Sequence, residues 1–488
     1  MRQSSSVVPV ERIRHEWGVF VSRLTSYVLR LTFCLLSACA VYTPAPVRPD
    51  GQLGSFNRRR LDDALLLAWF DSLGVARPAA GWTPRQLALA SAWFRPEQRR
   101  RLAEVRAADA TLLTAGARPQ PGIASDLEYA FSDPQSSSRW GVALAGLFTI
   151  ELGGKRGARL ARARAAALTA RAAATESEWQ QANRTYLAAL AWDRARRVRE
   201  EAALERTALD TIVRLVRARY EGGTLTRLDV ARAEGDLRTA FAAEQAMDRE
   251  ERLARVRVAA ELGVPADALE GIELADPLWP PCGDSGATRA DLQRQALGAR
   301  WSLRRAAADY QVAEGDLRIA VADAAPNLTL GPGMFFDQGT GKFTLAAALP
   351  SIPLNHNRGP LAENEARRSV AALRLAEEQE QVLAEVEAAL AGCDAARREV
   401  AATDSVVTEA ERRARLAEAA YDRGETGRLE VALAGLDLVR TRRTVVEARL
   451  RVGESGLALE RALGAWGTRD DGPWPVVSLP DVPWRSER

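Results

Sequence analysis

The sequence is poor in the residues and patterns that mark several common classes of protein. Its 488 residues include only two histidines and three methionines, too few for a metal store, and aromatic residues make up 6% of the chain. Lysine plus arginine (67) nearly balance aspartate plus glutamate (64), and no block of one sign suggests a nucleic-acid partner. There is no nucleophile–base pattern, phosphate loop or pair of catalytic carboxylates. The sequence therefore predicts neither an enzyme nor a cofactor.

Long apolar runs are scarce as well, and the one short run lies near the amino end. Arg23 and Arg30 precede apolar residues 31–38, and Cys39 follows Leu-Ser-Ala, which resembles a bacterial lipoprotein signal. We predict that residues 1–38 are a signal peptide and that Cys39 is acylated. The alternatives are an ordinary secretory signal or a chance cysteine. Ala40, where inner-membrane lipoproteins commonly have aspartate, favours the outer membrane. Beyond this segment no run of about 20 apolar residues predicts a transmembrane helix.

Cysteine is nearly absent from the rest of the chain. Cys282 lies in a proline-rich stretch and Cys393 lies within a predicted helix. An oxidising compartment would permit a disulfide between them. Their spacing does not demand one, so two free cysteines are the simpler expectation.

Glycine and proline are missing from one long stretch, which predicts a very long helix. Residues 158–220 contain neither residue. At 1.5 Å per residue this helix would be about 100 Å long, a length that no globular core requires. Gly222 and Gly223 end it, and a second helix is expected to return over residues 227–262.

The chain contains an internal duplication. Residues 147–157 are echoed by residues 349–359, and residues 220–231 are echoed by residues 421–432. Two landmarks repeated in the same order indicate a duplicated unit. In each unit we expect a helix, a β-hairpin, a long helix and a return helix. The predicted organisation is a signal peptide (1–38), a lipid-anchored N-terminal tail (39–82), a first repeat (83–266), a linker (267–288), a second repeat (289–467) and a C-terminal tail (468–488).

Each predicted hairpin has strands of a length that could cross a bilayer. Apolar residues alternate with other residues at 126–131 and 140–150, which predicts strands with one apolar face. Uncharged strands are expected at 327–336 and 343–352, joined by a loop. About ten residues suffice for a tilted membrane strand.

Four strands cannot form a membrane sheet alone, because an open edge leaves backbone groups unpaired in lipid. Two chains would supply eight strands and a filled interior, whereas three would supply twelve and a lumen. The long helices would continue that lumen as a helical tunnel.

These features resemble the TolC family of outer-membrane efflux channels over residues 83–467. Residues 115–119, 151–157 and 353–359 are similar to the heavy-metal branch that includes CzcC and CusC. The resemblance implies a mainly α-helical homotrimer with a twelve-stranded barrel in the cell outer membrane and a long periplasmic α-helical barrel. It further implies a passive exit duct for metal cations or drugs, contact with outer-membrane lipid, a periplasmic membrane-fusion adaptor and an inner-membrane pump of RND type.

The alternative function is a lipid-anchored periplasmic adaptor or coiled-coil scaffold. Adaptors also have long helical hairpins, but a lipoyl-like β-domain flanks them. The sequence contains no comparable run of strands.

By the same resemblance, the two helical tips form the periplasmic aperture and the surface where the adaptor docks. A glycine there turns the chain and lets another backbone approach closely. The alternative is a helix cap without further function. The residues assigned to adaptor docking are Tyr220, Gly223, Arg227 and Leu228 in the first repeat and Tyr421, Gly424, Arg428 and Leu429 in the second.

A periplasmic gate is expected beside these tips. Asp229 and Glu430 would give two rings of carboxylates in a trimer, and acidic rings favour cations. The alternatives are acids favoured by a helix N-terminus or ion pairs with Arg227 and Arg428. Leu433 occupies the family's inner acidic position, which puts a double acidic ring in doubt and allows an apolar constriction.

The strand–helix corners are marked by basic residues. Lys155, Arg156 and Gly157 form the first corner, and Arg358 and Gly359 form the second. We expect solvated residues at the membrane boundary, which lipid headgroups or periplasmic carboxylates could contact. The neighbouring His356 has no cysteine or second histidine at ligand spacing, so no metal site is predicted.

Overall fold

The computed structural model describes residues 42, 44, 46, 49–79, 81–129, 131, 140–275, 282, 286–337, 340–349 and 355–464. The chain divides into a unit of residues 1–55 and a unit of residues 56–488, and both repeats lie in the second unit. The predicted signal peptide, Cys39, most of the hairpin turns, the stretch 350–354 and the C-terminal tail lie outside the described residues. The helices and strands are α1 (Pro49–Asn57), α2 (Ala64–Ser72), α3 (Pro84–Phe94), α4 (Pro96–Gly116), β1 (Gly122–Tyr129), β2 (Trp140–Ile150), α5 (Lys155–Glu221), α6 (Arg227–Leu262), α7 (Arg289–Ala299), α8 (Trp301–Asp323), β3 (Leu328–Asp337), β4 (Thr340–Ala348), α9 (Arg358–Asp422) and α10 (Arg428–Ala462).

Each repeat begins with a short helix that the same cap initiates. The Thr83 side chain accepts from the backbone of Gln86, whose side chain accepts from the backbone of Thr83. Thr288 and Asp291 form the same capping box at α7. Such boxes satisfy two backbone groups that would otherwise lack partners.

Both short helices end at an arginine that fastens the return helix of the same repeat. Arg95, between α3 and α4, donates from Nη1 to the carbonyl of Ala260 at 2.9 Å. Arg300, between α7 and α8, donates from Nη1 to the carbonyl of Arg461 at 2.8 Å. The carbonyls at the end of a helix lack partners within it, and each arginine donates to one of them in addition to the backbone amide of the cap.

The strands form one antiparallel sheet in the order β1-β2-β3-β4. Val142 of β2 lies between Leu127 and Phe336, and Leu144 lies opposite Met334. This register gathers the large apolar side chains on one face, and in this chain that face is exposed. Its exposed members include Ile123, Leu127, Val142, Leu144, Phe148, Met334, Phe343 and Leu345.

The second hairpin differs from its predicted form. β4 begins at Thr340 and ends at Ala348, so Lys342 lies within a strand, where it pairs with Phe335, and not within the loop. The expectation of two uncharged strands was therefore wrong. Alternation explains the difference, because Lys342 and Thr344 lie on the face opposite to Phe343 and Leu345.

Two long helical hairpins leave the sheet. Helix α5 has 67 residues and returns as α6, and helix α9 has 65 residues and returns as α10. Helix α8 packs between α5 and α9. None of the described helices is long and apolar enough to cross a bilayer.

Buried clusters hold the helices together away from the sheet. The largest cluster includes Phe70 and Trp82 beside Leu262 of α6, so part of the predicted N-terminal tail is packed against the first repeat. A second cluster joins α7, α9 and α10, and it includes Val382 and Val386.

Cys282 and Cys393 form a disulfide. The Cα atoms of Cys282 and Cys393 lie 5.2 Å apart, and the bond links residues 111 positions apart in the chain. The expectation of two free cysteines was wrong because sequence spacing carries no information about this contact. Both residues lie in the second buried cluster.

Candidate functional site

Each helical hairpin turns at a glycine in the left-handed region of backbone space. Gly223 has φ +72° and Gly424 has φ +76°. The amide of each glycine donates to the carbonyl of the tyrosine three residues earlier, at 2.9 Å in both tips. A Cβ atom on either glycine would meet nothing within 4 Å. Within one chain, the positive φ alone therefore explains these glycines.

Asp229 is used to begin helix α6. Its carboxylate accepts from the backbone N–H of Thr226 at 2.9 Å and from the Thr226 hydroxyl at 2.7 Å. These hydrogen bonds hold the pKa of Asp229 below its ordinary value. The arrangement is the helix-terminus alternative that the sequence left open, and the carboxylate stays ionised at neutral pH.

Glu430 joins the two repeats at the tips. Its Oε1 and Oε2 atoms accept from the two Nη atoms of Arg219 at 2.9 and 2.8 Å, so the pair is bidentate. The Arg219 hydrogen bonds lower the pKa of Glu430, and the carboxylate also accepts from the amide of Gly427 at 3.2 Å. Arg219 belongs to the first hairpin and Glu430 to the second, so this pair resists their separation.

Gly427 makes room for that ion pair. A Cβ atom at this position would lie 2.2 Å from Nη2 of Arg219. The sequence analysis missed both Gly427 and Arg219. The repeat offered no signal for Arg219, because Ala420 stands before the second tyrosine.

The basic residues of the tips take a different role from the one considered for them. Arg428 donates from Nε to the Tyr421 hydroxyl at 2.8 Å, and its guanidinium lies 5.8 Å from the ring centroid. Both residues line an open groove of about 590 Å³, together with Arg214 and Leu215 of α5. Arg227 is exposed at the other tip.

The leucines of the tips differ between the repeats. Leu228 is 57% exposed and Leu433 is 47% exposed, whereas Leu429 is only 8% exposed. Leu429 belongs to a buried cluster that also contains Val213 and Val216 of α5. It is therefore buried within the chain in this conformation, and its assignment to a docking surface stays a prediction. Tyr220 is partly exposed, as Tyr421 is.

The first strand–helix corner requires a glycine. Gly153 has φ +71°, and a Cβ atom there would lie 2.7 Å from the Cβ of Ala325 and 2.8 Å from the carbonyl oxygen of Ala322. The corner therefore rests directly on the end of α8, which belongs to the second repeat.

The basic residues of this corner bind neighbouring elements. Lys155 donates to the side-chain oxygen of Asn327 at 2.8 Å, and Arg156 donates from Nε to the carbonyl of Gly116 at 2.6 Å. Gly157 has open space around it. Lys155 thus holds the start of β3, and Arg156 holds the end of α4.

The second corner uses non-glycine residues for the same turn. His356 and Asn357 have φ +50° and +58°. The Asn357 side chain donates to the carbonyl of Ala320 at 2.7 Å, so this corner also rests on α8. Arg358 and Gly359 are exposed. No group of three or more histidine, cysteine or carboxylate side chains suited to a metal ion occurs in the part of the chain that the structure describes.

Parts of this sequence are similar to known proteins. Residues 292–465 match a family model described as outer membrane efflux protein. The chain is 25% identical over 292 residues to the pyoverdine export outer membrane protein OpmQ of Pseudomonas aeruginosa; the match spans 55% of this chain and 58% of that protein.

Solved structures agree over more of the chain. The outer membrane protein VceC of Vibrio cholerae aligns with a TM-score of 0.63 at 21% identity, over 78% of this chain and 96% of VceC. The CusC channel aligns with a TM-score of 0.61 at 17% identity, over 81% of this chain and 96% of CusC. The chain has a TolC-like fold. Residues 292–465 are thus similar to outer membrane efflux proteins, and most of the chain shares the fold of VceC and CusC.

The TolC-like fold extends beyond the range that the family model matches. The matched range contains the second tip and the second corner, including Glu430 and Arg358. The first tip, with Arg219 and Asp229, lies outside it and is related to the second tip by the internal duplication.

Proposed function

We propose that this chain is one subunit of a passive outer-membrane channel, the exit duct of a tripartite efflux system. Three chains would close a twelve-stranded barrel, and their long helices would form a periplasmic tunnel. The cell outer membrane and the periplasm are the proposed location. The partners are a periplasmic membrane-fusion adaptor and an inner-membrane pump, of RND type by the sequence resemblance.

The observation that carries this proposal is the four-stranded sheet at the end of two long helical hairpins. One face of the sheet is apolar and exposed, and β1 and β4 each leave one edge unpaired within the chain. An apolar face of this kind suits lipid, but open edges do not, since lipid offers no hydrogen bonds. Closure with further copies satisfies both requirements.

The tips are the proposed periplasmic gate. In the closed state, the Arg219–Glu430 pair holds the first hairpin against the second. Exposed Leu228, with the rim of the groove beside Tyr421, is the proposed surface for the adaptor, and exposed Leu433 belongs to the proposed gate. Asp229 adds a negative charge to the aperture while it caps α6.

The transported substrate and the lipid anchor are two further proposals. The Pseudomonas relative is described as a pyoverdine exporter, and for this chain we propose metal cations or drugs, from the sequence resemblance. We also propose that Cys39 carries lipid. Mass spectrometry of the mature amino-terminal peptide tests the anchor, because acylation adds a mass that the Cys39→Ser variant lacks.

Single-channel recording tests the channel. The detergent-purified mature protein is added to a planar bilayer, and discrete conductance steps are expected. The Asp229→Ala/Glu430→Ala variant should alter the size or the cation preference of the steps. Unchanged steps would remove the tip carboxylates from the gate. A folded, lipid-bound protein without steps would instead favour the adaptor or scaffold function.

A further inference from the structure

The contact between the two repeats has a definite chemistry. Arg305 of α8 donates from Nη1 to Glu176 of α5 at 3.0 Å, and Glu176 is only 8% exposed. Arg162 of α5 pairs with Asp316 of α8, also at 3.0 Å. At Gly315 the helices approach so closely that a Cβ atom would lie 2.8 Å from the Cβ of Arg162. Ion pairs, one of them to the buried carboxylate of Glu176, and close backbones therefore hold α8 against α5.

The duplication places a copy of the arginine on α4. Arg100 stands in the first repeat where Arg305 stands in the second, at the spacing that relates Arg95 to Arg300. The resemblance extends to their neighbours, because Arg305 lies 3.8 Å from Asp309 and Arg100 pairs with Glu104, each one helical turn later. The side chains of Arg100 and Arg305 are similarly exposed, at 54% and 50%. Arg100 pairs with carboxylates of its own helix, whereas Arg305 reaches Glu176 of α5.

The duplication also places a copy of the glutamate on α9. Asp193 pairs with Arg196 on α5, and Asp394 pairs with Arg397 on α9. The spacing that relates these two pairs relates Glu176 to Glu377. Glu377 is exposed and has no hydrogen-bond or ion-pair partner among the described residues.

The flank of α9 around this glutamate is apolar and uncovered. Val370, Leu373 and Glu377 lie on one stripe of the helix, because they are three and then four residues apart. Val370 is 47% exposed and Leu373 is 71% exposed. The counterpart stripe of α5 contains Thr169, whose hydroxyl is buried beneath its neighbours. The same stripe is thus covered in the first repeat and bare in the second.

We propose that α4 of a second copy of this chain covers the bare stripe of α9, with Arg100 of that copy paired to Glu377. The inference rests on the trimer proposed above and names the residues that hold it together. It requires the same relation between α9 and the next chain's α4 that the structure has between α5 and α8. The sheet fits this arrangement, because β4 against the next chain's β1 would repeat the pairing of β2 with β3. A head-to-tail contact of this kind generates a closed ring.

Charge reversal tests the pair in the full mature chain. Arg100→Glu and Glu377→Arg are made singly and together, and the oligomer mass in mild detergent is measured by light scattering after size exclusion. Each single change brings like charges together and should lower the oligomer population about tenfold at fixed concentration. The double variant should restore it. Glu365→Arg is the matched control, because it reverses an exposed carboxylate of α9 away from the stripe and should change nothing.

Cross-linking is a second test, and it does not depend on whether the single charge-reversal variants fold. A chain with Arg100→Cys and Glu377→Cys is treated with a short bis-maleimide. Covalent species of two and three chains are expected on a reducing denaturing gel, whereas either single cysteine variant should not give the three-chain species. The interface would be overturned, but the trimer would not, if the wild type is oligomeric, neither charge reversal lowers the oligomer population and the double cysteine variant gives no cross-linked species. A wild type that is monomeric in detergent and silent in bilayers would overturn the trimer itself.

Discussion

At the scale of single residues, the tips are held by a pair of charges that crosses between the repeats. Arg219 and Glu430 form two hydrogen bonds, yet both side chains are more than a third exposed, so water screens them. An exposed pair of this kind contributes up to about 1 kcal/mol. The proposed trimer has three copies, which is enough to bias a gate that is close to balance.

Arg219→Ala should therefore favour the open state. Removal of the guanidinium leaves Glu430 without its partner, and the two hairpins separate more easily. We expect a higher mean conductance or a larger open fraction in planar bilayers, by a few-fold per subunit at most. Arg217→Ala is the control, since Arg217 pairs with Glu234 of the same hairpin. Equal effects of the two variants would show that the pair between repeats has no special role.

The same pair predicts the direction of a pH effect. Arg219 lowers the pKa of Glu430 in the folded chain. A lowered pKa means that the stabilisation is present above the ordinary glutamate pKa, about 4.3, and is lost as the pH falls through the lower folded value. Conductance should therefore rise on acidification below about pH 4. Glu430→Gln should remove this step, and a step that persists there would point to the Asp229 cap, whose pKa is also lowered.

Arg300 is the buried charge on which the second repeat depends. Its side chain is 9% exposed, pairs with Glu385 at 2.7 Å and lies 5.4 Å from the ring centroid of Trp179 in the first repeat. Arg300→Ala removes a hydrogen-bond donor to the carbonyl of Arg461 and the ion-pair partner of Glu385, although Gly464 and Gln381 still donate to these groups. We expect the free energy of unfolding to fall by about 3 kcal/mol, measured from the urea midpoint by circular dichroism.

A neighbouring arginine supplies the comparison. Arg304 lies over the Trp301 ring at 4.5 Å on the surface of α8. Arg304→Ala should cost about 1 kcal/mol or less. A similar loss in both variants would mean that burial of Arg300 contributes nothing beyond its charge.

At the scale of elements, the sequence predicts the ends of the helices more reliably than it predicts which other elements the helices contact. The stretch without glycine or proline predicted α5 because no residue there favours a turn. The arginine contacts at Arg95 and Arg300 were missed, although both residues follow a short helix that a threonine cap begins. Repeat spacing could have found them, but their carbonyl partners lie far along the chain, where no local pattern reaches.

The glycines of the two corners are present for different reasons. Gly153→Ala should destabilise the chain by about 1–3 kcal/mol, because it forces a side chain into a positive φ and against Ala325. Gly359→Ala lies in a helix with open space around it and should be neutral or slightly stabilising. Thermal unfolding of both variants checks the contrast. A loss at Gly359 equal to that at Gly153 would show that an unseen neighbour occupies the space.

At the scale of the whole molecule, the duplication could be predicted from the sequence, but the structural differences between the two repeats could not. Leu228 and Leu429 occupy equivalent positions, yet one is exposed and the other is buried against α5. Among the described residues, α10 packs along α5 of the other repeat, whereas α6 packs mainly against α5 of its own hairpin. A sequence pattern along one helix does not contain this difference in packing.

The disulfide adds a covalent link to the packing between elements, because it joins the stretch between the repeats to α9. Cys282 is held further by Arg397, which donates to its carbonyl at 3.0 Å. The loop that the bond closes is long, so its loss frees many conformations of the unfolded chain. Cys393→Ser should therefore lower the free energy of unfolding by about 2–5 kcal/mol. Dithiothreitol should lower the stability of the wild type equally and leave the variant unchanged.

Because such bonds persist in oxidising compartments, a non-reducing digest of the native protein should contain the two linked peptides. Free thiols at both positions would contradict the bond and remove its support for a periplasmic location of this region.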